Sequence, residues 1–189
     1  MRLGMATTCT LATGLAMEQM FQATTDMVDK RLRQVWTISS EIAGVCTVLC
    51  KHYTKMRPDQ ATLAGLVHKI GVLPILSYAE DHPSLLKDSF TLDAIIKSTH
   101  PKIGQRILTA WEFPKEIRNV PMAHLNFTRS APQADYADLV TVALLESYPD
   151  QYQDLDLNQV NAFTRLGIAP GTQEQDLGDA MAAAMGMLK

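Results

Sequence analysis

Strand signals are missing from this chain. No stretch alternates β-branched with polar residues, and neither Asn-Gly nor Asp-Gly occurs to close a hairpin, so an all-α fold is expected. Cysteine is scarce. Cys9, Cys46 and Cys50 are odd in number and match neither a disulfide framework nor a zinc spacing, which points to a reducing cytoplasm. Cys46 and Cys50 lie four apart on one expected helix and read as packed thiols. Neither sign of charge dominates: 17 Lys and Arg against 20 Asp and Glu leave a net charge of −3. That balance gives no broad footprint for nucleic acid or an anionic membrane. Long hydrophobic blocks are lacking at the start, where Arg2 precedes a mildly apolar run broken by Thr7, Thr8, Thr10 and Thr13. This stretch reads as a buried helix and not as a signal peptide. Internal repeats and low-complexity segments are absent as well.

What is present suits a globular protein. With 189 residues, 47% of them hydrophobic and 20% charged, the chain can bury a substantial core in one domain. A first helix is expected over roughly 5 to 22, and a second from the N-cap Thr25 to about Tyr53. The second carries an inward stripe of Leu32, Val35, Trp36, Ser39, Ile42, Cys46, Leu49 and Tyr53. Pro58 opens the next helix, and His82 falls in the polar turn EDHPS as an exposed loop residue. Helices follow over about 85 to 97 and from Pro101, the latter with Ile103, Ile107, Leu108 and Trp111 on its core face and Gly104 allowing close contact. Pro114 opens another, in which Pro121 forces a kink or an early end just before His124. TRSAPQ at 128 to 133 is a surface connection, followed by a helix over 134 to 147. A last pair is expected over about 157 to 166 and 173 to 188, the second with a Thr172/Gln175 capping box.

One stretch organises the rest. In ATLAGLVHKIG, residues 61 to 71, Leu63, Leu66, Val67 and Ile70 recur at helical steps and define a buried face. Beside it runs a stripe of small residues, Ala61, Ala64 and Gly65, ending at His68. Such a stripe lets another helix approach closely, and a shared site is expected where it ends.

LAGLVHKIG resembles the helix that carries the adjacent His-Asp pair of HD-type metal phosphohydrolases, and the HDOD branch is the nearer likeness. Three further pieces agree in order: VWTIS at 35 to 39, THPKIGQRILTAWEFPKEI at 99 to 117 and MAHLNF at 122 to 127. The resemblance implies an all-α, single HD/HDOD-like multi-helix domain, with an HDOD-like core over 1 to 150 and a C-terminal helical extension over 151 to 189 packed on it. It also implies further helices upstream of the segment that Leu3 and Gly4 match.

An active HD site holds metal with histidines and carboxylates, the metal activating water and offsetting phosphate charge. Carried over by position, the first ligand histidine falls on Ile38 and the second on His68; the partner aspartate of His68 becomes Lys69. His100 and His124 match two further histidines, Leu125 replaces one half of a His-His pair, and the last helical aspartate falls on Leu144. Asp135 or Asp138 takes that place if the register slips.

The residual candidate site is therefore His68, Lys69, His100 and His124. It reads either as a weak zinc or iron site or small-anion pocket, or as a polar cluster satisfied by backbone and water. The resemblance implies a non-catalytic bacterial signalling or scaffold module that binds a protein partner or a small effector. No cofactor is expected beyond a weak divalent metal, and no nucleic-acid or membrane partner. The alternative is a divergent metal-dependent phosphohydrolase acting on a nucleotide or cyclic dinucleotide. A nucleotide bound without hydrolysis would use His68, Lys69, His100 and Arg106.

Overall fold

Val28, Leu32, Ser39, Ile42, Cys46 and Leu49 lie on one side of a single 28-residue helix, α1 (Asp26–Tyr53), and all six are buried. The computed structural model describes residues 25–171, and every regular element among them is helical. Among these residues the fold is all-α, as expected. Thr25 does stand at the N-cap of α1, but its hydroxyl makes no capping bond; its backbone N–H donates to Glu80 instead, 2.7 Å away. The helices expected over 5 to 22 and 173 to 188, with the Thr172/Gln175 box, lie outside the described residues, as does Cys9.

Helix α2 (Pro58–Val67) starts on Pro58, whose missing N–H costs nothing in a first turn, and lies along α1. The small-residue stripe sets how near they come. A Cβ placed on Gly65 would sit 2.4 Å from the Cα of Ala43, so the two backbones touch there.

The expected helix over 61 to 71 is not continuous. It ends at Val67; His68 is its C-cap, and a tight turn with Ile70 N–H on Val67 O and Val72 N–H on Lys69 O leads into α3 (Val72–Glu80). The break has a packing reason. Gly71 lies against another helix so closely that a Cβ would fall 2.0 Å from the carbonyl oxygen of His100. A straight helix would not deliver Gly71 to that contact. The stretch 58 to 80 is long and apolar enough to resemble a membrane span by composition, but most of it is buried in the protein core.

After the short α4 (Pro83–Lys87) comes α5 (Ser89–Ala110), capped by Asp88, which accepts from the N–H of Thr91. The sequence reading breaks this segment before Pro101; the structure runs straight through it. Proline removes the bond to the carbonyl of Lys97, an exposed residue, so the loss falls where water replaces it. His82 is exposed as expected, stacked on Tyr78 with ring centroids 3.9 Å apart. Trp111 is not core. It follows the end of α5, is 45% exposed, and overhangs an apolar hollow of about 360 Å³ lined by Leu32, Leu73 and Ile107.

Two short helices, α6 (Lys115–Arg118) and α7 (Val120–Ala123), follow Pro114, with Pro121 in the first turn of α7 and His124 just past its end. Asp135 then caps α8 (Tyr136–Ser147) through a reciprocal capping box with Asp138. The helix expected over 157 to 166 is shorter. Leu157–Gln159 forms a 3₁₀ turn, Val160 is extended, and α9 covers only Asn161–Leu166 before Gly167 ends it at φ 70°. Asn161 explains the late start: its N–H donates to Phe127 O and its side chain to Thr128 O, which tie it to the preceding loop. Helix α9 packs on α8.

Candidate functional site

Three close approaches at glycine bring the histidines together. Gly65 lets α2 sit on α1, and its carbonyl oxygen accepts from Nδ1 of His68 at 2.6 Å. Gly71 lies on His100, and Gly104, one turn further along α5, backs onto the Pro121 ring, three residues before His124. The result is a cluster of imidazoles. The ring centroids of His68 and His124 are 5.3 Å apart and those of His100 and His124 6.2 Å. His68, His100 and His124 are 0%, 6% and 1% exposed.

Hydrogen bonding fixes two of the tautomers. Nδ1 of His68 faces Gly65 O and Nδ1 of His124 faces Val120 O at 2.9 Å; a carbonyl only accepts, so in each neutral ring Nδ1 carries the proton and Nε2 keeps a lone pair. Nε2 of His68, Nε2 of His124 and Nδ1 of His100 are buried with no hydrogen-bond partner. The hydroxyl of Thr141 on α8 lies 2.8 Å from both His124 O and Ala137 O and can donate to either, tying α8 to the cluster.

The rings are held neutral. Burial pushes His100 down to about 4 and His124 to about 3, with the Lys69 ammonium adding to both. His68 is likewise pushed well below its ordinary value, by burial first and then by His124 and Lys69. Lys69 is lowered by its own desolvation. Among the described residues no carboxylate lies within salt-bridge distance of it.

Beside the cluster opens a cavity of about 650 Å³, lined by Lys69, His100 and His124 and also by Ile38, Leu125 and Leu144. The positions carried over from the resemblance, His68 apart, thus line one cavity, and Ile38, Leu125 and Leu144 present aliphatic side chains to it. Leu144 lines the cavity wall. Asp138, the sequence-level alternative, is fully buried elsewhere in a network with Arg129 and Arg165, whose Nε donates to it at 2.8 Å; Asp135 pairs with Arg129. Arg106 is exposed and does not line the cavity. The cations that do so with Lys69 are Arg31 and Lys97, and Arg31 is paired with Asp93 at 2.5 Å. Sequence reading missed both, since a charge on one helix carries no mark of which distant wall it will join.

Neutral imidazoles with Nε2 lone pairs are the form that binds metal. The donor set nonetheless does not fit a divalent ion. An ammonium stands beside the imidazoles, the cavity's carboxylate Asp93 is paired with Arg31, and among the described residues no group of three His, Cys, Asp or Glu side chains is placed to hold a metal.

Comparison with known proteins bears on the family and the fold. The family model of the HDOD domain matches residues 1–127. A solved structure from Shewanella amazonensis SB2B, described as a "Putative metal-dependent phosphohydrolase", superposes with a TM-score of 0.82 at 27% sequence identity; the match covers 98% of this chain and 68% of that one. No curated protein matches the chain.

Proposed function

Because the chain belongs to the HDOD domain family, we propose that it is a non-catalytic signalling or scaffold module whose former metal site has become a pocket for a small effector or a partner protein. Lys69 carries the reading. By the resemblance it takes the place of the carboxylate that would neutralise and bridge metals, and it stands on a cavity wall with neutral imidazoles and aliphatic side chains. A cation there opposes metal binding by direct repulsion, and Ile38, Leu125 and Leu144 close further coordination positions. Buried free thiols at Cys46 and Cys50 suit a bacterial cytoplasm. The net charge of −3 favours a protein or small-molecule partner over nucleic acid or membrane.

The test is metal content and turnover. Purified protein is expected to hold well under one equivalent of divalent metal, and to release no product from phosphomonoester or phosphodiester substrates supplied with manganese, iron or nickel. Tight stoichiometric metal, with turnover abolished by His68→Ala, would overturn the reading.

A second reading keeps one observation in its favour. The Nδ1 bonds of His68 and His124 to carbonyls leave their Nε2 lone pairs free, as in a metal ligand, and the similar Shewanella structure is described as a metal-dependent enzyme. If only the missing carboxylate separates this chain from a phosphohydrolase, Lys69→Asp will raise metal affinity at least tenfold. No gain means that the aliphatic positions matter as much as the lysine.

A further inference from the structure

The cavity beside the histidines has a charge imbalance that its own residues leave uncorrected. Among the described residues, Arg31, Lys69 and Lys97 line it against one carboxylate, Asp93, and Asp93 is already paired with Arg31. Lys69 and Lys97 remain, and neither has an ion-pair partner among the described residues. Lys97 is exposed and water serves it. Lys69 is half-buried, and a half-buried ammonium without an anion is costly to hold unless something supplies one. Next to it, His100 lines the same cavity, is 6% exposed and has its Nδ1 buried without a partner; the tautomer with its proton on Nε2 offers a second donor.

Most of the rest of the wall is apolar, with Gln34, Gln151 and Tyr152 as its polar members. Val35, Ile38, Val72, Leu76 and Leu144 contribute to it, and a volume of about 650 Å³ falls in the range of pockets that enclose a small organic molecule. A bare inorganic ion would leave most of that apolar surface uncovered.

We propose that this cavity binds a small organic anion, its carboxylate or phosphate on Lys69 and His100 and its apolar body against Ile38, Leu76 and Leu144. The proposal rests on the non-catalytic reading and narrows it from any effector to an anionic one. No bond is made or broken; the site holds its ligand by charge, one imidazole donor and apolar contact.

Titration calorimetry on the full chain tests it with three probes of similar body: phenyl phosphate, benzoate and benzyl alcohol. At least one anion is expected to bind one-to-one and at least tenfold more tightly than the alcohol. Whichever of phenyl phosphate and benzoate binds better identifies the anionic group. Lys69→Met, which keeps the stem and removes the charge, should erase the advantage of the anion and leave the alcohol unchanged; Lys69→Arg should keep it within severalfold. Leu144→Trp, which fills the cavity, should abolish binding of all three while circular dichroism shows the helices intact. Anions bound no better than the alcohol, or unaffected by Lys69→Met, overturn the proposal. Release of phosphate from phenyl phosphate in manganese would instead overturn the non-catalytic reading, and a separate colorimetric assay registers it.

Discussion

A half-buried ammonium facing neutral rings is a poor choice for stability alone, and Lys69 can be asked what it costs. Its stem packs while its charge is desolvated and repelled by any proton on His68, His100 or His124. Lys69→Met removes the charge at nearly constant volume. The expected outcome is a gain of about 1 kcal/mol, read as a rise in Tm of a few degrees. A fall in Tm would mean that the ammonium has a stabilising role in the fold. His68→Ala should act the other way, losing the bond to Gly65 O and leaving a hole at a fully buried position, at a cost of roughly 2 to 4 kcal/mol. Urea midpoints of the two variants beside the parent check both. Both residues were legible in the sequence because they sit together in one recognisable motif, LAGLVHKIG. Asp138 was legible only as a stray carboxylate: its partners Arg129 and Arg165 lie 9 and 27 residues away, and nothing local marks the pair. Asp138→Asn should leave both guanidinium groups underpaired and cost about 3 to 5 kcal/mol, measurable by urea unfolding.

Elements meet here through backbone, and glycine is what permits it. The alanine-size gap that the sequence implied at Gly65 is real, and Gly71 and Gly104 extend it into a chain of contacts from α1 to α7. Gly71→Ala would drive a Cβ to 2.0 Å from His100 O, where only backbone stands and no side chain can swing away. We expect a loss of roughly 2 to 3 kcal/mol or more, together with a widened His100 to His68 spacing that weakens any ligand held between them. Gly167→Ala is the contrast: it has φ 70° and open space around it, so only left-handed strain of about 1 kcal/mol should appear. Equal effects at the two positions in thermal melts would rule out the close-contact account. Pro101 shows where local rules failed. A proline argues for a helix start, yet Ser89–Ala110 continues through it because the lost bond is on the solvent side and α3 grips the buried side at His100. That grip is tertiary and has no local sequence signal. Trp111 failed for a related reason: the helical stripe that pointed it inward stops at Ala110, and the turn through Glu112 at φ 56° takes the chain away.

Across the whole molecule the three buried imidazoles should govern how stability answers to pH. All three have folded-state affinities for protons below that of an unfolded histidine, near 6.5, because burial and the neighbouring Lys69 disfavour the charged ring. In the unfolded chain the same rings protonate freely as pH falls below 6.5, so the unfolded state takes up more protons and is favoured. The stability contributed by keeping them neutral is therefore fully present above about pH 7 and is lost on acidification, through about 4 for His100 and about 3 for His124. Each ring contributes a slope of about 1.4 kcal/mol per pH unit, or on the order of 2 kcal/mol by pH 5. Three rings together would consume much of the 5 to 15 kcal/mol typical of a domain. Asp59, Asp88 and Asp156 do not act in this window, since they are lowered from 3.8 and their contributions disappear only at lower pH. Urea unfolding at steps from pH 7.5 to 5 should thus show a steep, monotonic fall. His124→Gln removes one titrating ring and should flatten the slope by about a third, even though the variant begins less stable. A stability that holds level down to pH 5 would mean that the rings take up protons in the folded state, and that the cluster is open to water in a way its burial does not allow.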